Sequence, residues 1–267
     1  MRRAVSRILT LLPNRQRQMV SHAHRSLFPG KRPALAAKYL RGSGIEVGAM
    51  NRPLRVPQGV LVRYVDNVSR DENLGRFPQF QSPDLALPDF IEDGFTLPSF
   101  APCSEDFLIA NHVLEHSDNV LKTLSRWADV LKPGGVLFIS VPLAEFCFDR
   151  GRPITPLEHF VADYELERSG RQDLFNENTL QHYVEWVSIS EPAILGERRP
   201  KSQDEVRAKA TQMLQECAEI HFHTFSTRSY RALLQHFCGG MRRDFRLVDL
   251  VANGDEAVGV LERVTSP

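Results

Sequence analysis

From Gly44 onward, short apolar runs alternate with stretches of helical spacing. A chain patterned this way buries its strands by laying them parallel and covering both faces with the intervening helices. Residues 45–47 and 61–65 read as the first two strands, the second ending at Asp66, and residues 107–110 read as another. After Asn111 the spacing of Leu121, Leu124, Trp127, Val130 and Leu131 predicts a helix. Lys132-Pro133-Gly134-Gly135 stops it, because proline cannot continue a helix and paired glycines permit the reversal. Residues 136–141 then return as an apolar, β-branched central strand.

Between Pro142 and about Ile220 this pattern lapses into charged helical segments broken by prolines at 153, 156, 192 and 200, which reads as an insertion. Beyond it, Ser226 or Thr227 can cap a helix running to about Phe237, with Gly239-Gly240 as its stop. Residues 245–251 and 257–264, joined through Asn253-Gly254-Asp255, read as a closing hairpin. The expected parts are a basic helical extension over 1–41, a ligand-binding half over 42–142, a helical cap over 143–220, and a closing helix and hairpin over 221–267.

With 42% hydrophobic and 25% charged residues, the 267-residue chain is composed like a soluble globular protein rather than a disordered or fibrous one. It has no apolar run of eighteen residues and no fixed repeat, which argues against membrane spans and solenoids. Cys103, Cys147, Cys217 and Cys238 form no C-x-x-C pair, so a reducing cytoplasm is the expected location. The zero net charge conceals an asymmetry, since residues 1–41 hold ten Lys or Arg and no acid. Such an arm suits a solvated leader helix, with peripheral membrane or membrane-complex contact as the second reading; nucleic acid is not the expected partner.

The residues that carry chemistry lie where strands end. Gly48 follows the first strand, where the absence of a Cβ lets backbone approach a ligand. Asp66 lies twenty residues beyond Glu46, at the end of the second strand, where its carboxylate can accept both hydroxyls of a ribose. Read together, "GIEVGAMNRP", "VRYVD", "IANHVLEH", "LKPGGVLFISVP" and "FDRGRPITPLEH" resemble the class I S-adenosylmethionine-dependent methyltransferases, in particular a bacterial branch often found with polysaccharide or surface-glycan biosynthesis. The resemblance covers residues 42–165 most strongly. It implies a three-layer, Rossmann-like α/β fold whose seven-stranded sheet has a reversed last strand, here carrying a mainly helical cap. It also implies S-adenosylmethionine as cofactor and a small-molecule or glycan acceptor, with a sugar hydroxyl as the expected target. Carried over by position, Glu46 and Gly48 form the glycine motif, Asp66 is the ribose acid, Asp93-Gly94 meets the adenine, and Asn111-His112 lines the methyl-transfer cleft. The loop departs from the family pattern by carrying a single glycine, and this motivates an alternative non-catalytic role as a scaffold in a glycan-assembly complex.

Methyl transfer is an in-line displacement that needs alignment and usually removal of a proton from the acceptor. Candidate bases beyond the central strand are Asp149, Glu158, His159, His221 and His223, of which His159 is the first choice, with Asp149 and His223 beside it. Arg150, Arg152, Arg198 and Arg199 can hold an anionic acceptor group, although salt-bridging to local acids suits them better. On a strand, His221 and His223 would face the same way and could share a metal with Asp149 or Glu158, but two histidines alone assign no metal. His112-Val113-Leu114-Glu115-His116 matches the H-x-x-E-H zinc motif, yet that motif needs a stable helix where this segment reads as a strand-to-helix corner. A nicotinamide dehydrogenase would need G-x-G-x-x-G, which a lone Gly48 does not supply.

Overall fold

The structure, a computed structural model, describes residues 30–77, 80, 85–197, 199 and 201–264. Most of the basic extension therefore lies outside the described residues. Its last part is helix α1 (Arg32–Tyr39), with a proline at the start of its first turn, where a missing N–H costs nothing.

The sheet has seven strands: β1 (Ser43–Val47), β2 (Leu61–Asp66), β3 (Phe90–Ile91), β4 (Glu105–Asn111), β5 (Leu131–Pro142), β6 (Phe245–Ala252) and β7 (Glu256–Arg263). Their spatial order is β3-β2-β1-β4-β5-β7-β6. The first five run parallel, while β7 is antiparallel to both β5 and β6. Order reverses beside β1, and Val47 stands level with both Val65 and Ala110, so the carboxyl ends of β1, β2 and β4 form one ledge. Ligands bind at such a switch point because the diverging crossovers leave a crevice there.

Alternation divides the core. Leu137, Ile139 and Val141 join Leu108, Ala110 and Trp127 on one face, while Phe138 packs with Phe107, Ile109 and α1 on the other. Helix α3 (Val120–Val130) packs its apolar side on the first face, its start fixed where the Asn119 side chain accepts from the Lys122 N–H at 3.2 Å. Truncating its fully buried Trp127 to alanine would cost about 3–5 kcal/mol.

Several expectations need correction. The helix expected directly after Asn111 begins at Val120, because a 3₁₀ turn (Leu114–His116) intervenes and the Glu115 carbonyl is drawn to the Phe222 and His223 N–H groups. Strand β3, two residues long, is too short to show periodicity. A short helix α2 (Arg70–Arg76) with a Ser69 capping box lies between β2 and β3. Helix α8 (Thr227–His236) does not stop at the glycine pair but passes into a π turn (Phe237–Met241) containing it. In the segment expected as a cap lie α4 (Leu157–Arg168), α5 (Gln172–Glu185), a π turn (Trp186–Ser190), α6 (Glu191–Leu195) and α7 (Gln203–Gln215). Phe160 of α4 belongs to the main core, so this helix is part of the sheet's flanking layer, whereas α5 and α7 enclose a smaller cluster around Tyr183, Ala210 and Phe222. Among the described residues no helix is long and apolar enough to cross a membrane.

Candidate functional site

The ledge is built around Val47. Gly48 turns the chain at φ +63°, a conformation that favours glycine, and its N–H donates to the Val65 carbonyl at 2.9 Å. A Cβ on Gly48 would lie 2.9 Å from Val113 Cγ2, and one on Gly94 would lie 2.3 Å from Val47 Cγ1. The Gly94 carbonyl in turn accepts from the Trp127 indole at 2.8 Å. Beside them Asp66 ends β2, its backbone carbonyl accepting from the Glu92 N–H at 2.9 Å. Gly48, Asp66 and the 93–94 turn are therefore neighbours on one edge, as a nucleoside site requires.

Their side chains are not equally available. Asp66 is half-buried and accepts at 3.3 Å from both the Val68 N–H and the Asn73 amide, while burial raises its pKa above its ordinary value. Asp93 uses both oxygens locally, accepting from the Phe95 N–H and the Thr96 hydroxyl, which makes it the brace of the turn. Glu46 is fully buried, and both its oxygens accept from the Leu54 N–H, at 3.1 and 2.9 Å. It shapes the 48–54 loop from within, and burial pushes its carboxyl up to about 7 against the bonds from Leu54 and Asn111. Asn111 bridges Glu46 to the Ser140 hydroxyl.

His112 takes a left-handed φ of +57°. Its Nε2 lies 2.7 Å from Glu256, which also binds Arg32 in a charge-assisted pair. Burial opposes ionisation of Glu256, but His112 and Arg32 outweigh it and bring the carboxyl to about 2. The other ring nitrogen faces Glu115 at 3.8 Å. Glu115 is wholly buried, neither of its oxygens has a hydrogen-bond partner among the described residues, and burial raises its pKa. The same Glu115 oxygen stands 4.0 Å from His221 Nε2.

Asp149, His221 and the 3₁₀ turn after β4 thus meet beside His112. Asp149 Oδ2 is 2.6 Å from His221 Nδ1, and its other oxygen accepts from the Ser190 hydroxyl and Arg152. Burial raises the Asp149 pKa, yet bonds from His221, Ser190 and Arg152 prevail and hold it at about 2. An ionised Asp149 can only accept, so His221 Nδ1 carries a hydrogen towards it, the orientation a carboxylate gives to a general-base histidine.

Asp149 does not join His159 and His223, the other two residues expected in the catalytic set. His159 and His223 meet each other and His182, with ring centroids 5.7 Å apart for the first pair. His221 and His223 do not share a strand face, because the chain before Phe225 is irregular apart from one bridge, and the two rings enter separate clusters. Arg152 is buried and spends its guanidinium on Asp149, Glu185 and the carbonyls of His221 and Phe222, so it ties loops together. Arg198 lies outside the described residues.

Sequence reasoning passed over Asp163, His182 and Glu256. The spacing His159-x-x-x-Asp163 places both on one helical face and was a usable signal. Nothing local marked His182, which is alone on its helix, or Glu256, which the antiparallel return of β7 brings to β4's end.

A family model described as a methyltransferase domain matches residues 34–237. No curated protein sequence matches the chain. Among solved structures, the CurJ carbon methyltransferase is 14% identical with a TM-score of 0.42; the match covers 85% of this chain, which spans only 50% of that one. A SAM dependent methyltransferase from Aquifex aeolicus is 12% identical with a TM-score of 0.42, covering 87% of each chain. A protein described as a putative Zn-dependent alcohol dehydrogenase from Rhodobacter sphaeroides is 12% identical with a TM-score of 0.46, covering 90% of this chain and 94% of that one.

Proposed function

The chain belongs to the methyltransferase-domain family, and from that premise we propose that it uses S-adenosylmethionine to methylate a hydroxyl of a sugar or glycan-related acceptor. In this reading the cofactor lies across the ledge, with Asp66 on the ribose hydroxyls and the 93–94 turn against the adenine. When bound, it supplies an electrophilic methyl group. The chain's own part is to align the acceptor and take its proton.

The observation that carries the proposal is the Asp149–His221 pair, 2.6 Å apart, with Nε2 of the ring directed towards Glu115. A hydroxyl is a weak nucleophile until its proton has somewhere to go, and a histidine oriented by a buried carboxylate provides that place. The acceptor would approach from the side of His112 and the 142–156 segment. The sugar class rests on the sequence resemblance to glycan-associated methyltransferases. No specific observation favours the non-catalytic scaffold.

Mass spectrometry of surface glycans from cells with and without the gene tests the acceptor class. A glycan species lighter by one methyl group in the deletion is expected. Unchanged glycans, together with methyl transfer by the purified chain to a non-carbohydrate acceptor, would refute the sugar assignment.

A further inference from the structure

Apart from the base pair lies a second polar cluster: His159 and Asp163 one turn apart on α4, His182 on α5, and His223 in the chain before α8. The geometry points to a structural zinc site formed by His159 Nε2, Asp163 Oδ2, His182 Nε2 and His223 Nδ1, a ligand set the methyl-transfer chemistry does not call for. Each residue offers one donor atom, and all four donors lie within 4.8 Å of one another. His159 Nε2 is 2.9 Å from His182 Nε2 and 3.1 Å from Asp163 Oδ2. Tetrahedral zinc with bonds of about 2.0–2.2 Å sets its donors roughly 3.3–3.6 Å apart, so the closest pairs would open slightly and any wider pair, up to 4.8 Å, would draw in.

Protons alone serve this cluster poorly. A single hydrogen on His159 Nε2 cannot be given fully to both His182 and Asp163. His223 is 1% exposed, yet its Nδ1 has no hydrogen-bond partner among the described residues. An uncompensated buried nitrogen of this kind is unfavourable, and a divalent cation at the centre would satisfy all four donors together. The outer contacts also suit ligation. His223 Nε2 faces the Asp118 carbonyl at 3.4 Å, which favours the tautomer whose Nδ1 lone pair is free, and Asn178 donates to the second Asp163 oxygen at 2.9 Å. Four protein ligands close the coordination sphere, so the metal would pin α4, α5 and the chain before α8 together rather than take part in catalysis.

Zinc and cobalt titrations of the full chain, stripped with chelator, test this independently of any methyl transfer. The expected result is one zinc per chain, a raised melting temperature, and with cobalt the intense visible bands of a four-coordinate site. His159→Ala removes the most exposed ligand and His223→Gln a buried one. In either variant, shown to be folded by circular dichroism, zinc affinity is expected to fall by at least about tenfold. Wild-type chain that takes up no zinc, a six-coordinate cobalt spectrum, or undiminished affinity in folded His159→Ala would overturn the assignment. So would zinc binding that is lost in Glu115→Gln but kept in His159→Ala, since the metal would then belong to the neighbouring Glu115–His116–His221 group.

Discussion

Asp149 and His221, 72 residues apart in sequence, meet at 2.6 Å in a buried carboxylate–imidazole pair beside the turn that follows β4. The carboxylate fixes the ring's tautomer, and the ring in turn offsets part of the cost of burying Asp149. Losing the base should slow the chemical step without loosening the cofactor. His221→Ala is expected to lower kcat by about 10²–10⁴-fold while cofactor affinity stays within about twofold of wild type. Single-turnover kinetics with calorimetry in parallel checks this; a variant that retains wild-type kcat contradicts it.

The close approach of Gly94 to Val47 makes a second expectation. In Gly94→Ala the new methyl would sit 2.3 Å from Val47 Cγ1, and the 93–94 turn must move off the ledge. Overpacking of this kind costs about 1–3 kcal/mol. Denaturant unfolding should show that loss, and the double variant with Val47→Ala should recover part of it. Equal stability of Gly94→Ala and wild type would mean that the turn is not held there.

Glu46 predicts a pH effect with a definite sign. Its folded-state pKa, raised by burial to about 7, lies above the ordinary carboxylate value of 4.5. The folded chain therefore holds this proton more tightly than the unfolded one, and the contribution is present below about pH 4.5 and lost as pH rises towards 7. Buried histidines depressed to about 3, such as His116 and His182, act the opposite way over part of this range. The comparison with Glu46→Gln isolates the carboxyl. The stability difference should shift in favour of the glutamine variant between pH 4.5 and 7, by an amount on the order of a few kcal/mol, and stay level below that window. A difference that does not change across the window would show that Glu46 is ionised in the folded chain.

How far sequence reaches is clear from particular residues. The paired glycines after Pro133, the β-branched run of β5 and the Asn253-Gly254 turn are local signals, and the parallel sheet with its closing hairpin follows from them. Gly48 and Asp66 were readable because each ends a strand whose own pattern marks it. Asp149 and His221 were grouped only as possible metal ligands, and their direct contact as a carboxylate–imidazole pair was not readable. Both residues stood among the candidates, but their meeting depends on how the 142–156 segment folds against the irregular chain before Phe225. Likewise, nothing near Glu256 announces that it will meet His112 and Arg32, because antiparallel return of the last strand sets that meeting. Long-range geometry decides which of several plausible histidines meets Asp149 and which turn to other neighbours.

Binding of S-adenosylmethionine to wild type and Asp66→Ala, measured by calorimetry on folded protein, bears most directly on the whole account. With Asp66 at the end of β2 beside Gly48, wild type should bind one cofactor per chain. Loss of two charge-assisted bonds to the ribose, each worth about 1.5–3 kcal/mol, should weaken the variant by at least about a hundredfold. A wild-type chain with no measurable affinity, or a variant that binds as tightly as wild type, would show that the ledge at Gly48, Asp66 and Gly94 is not where the cofactor sits.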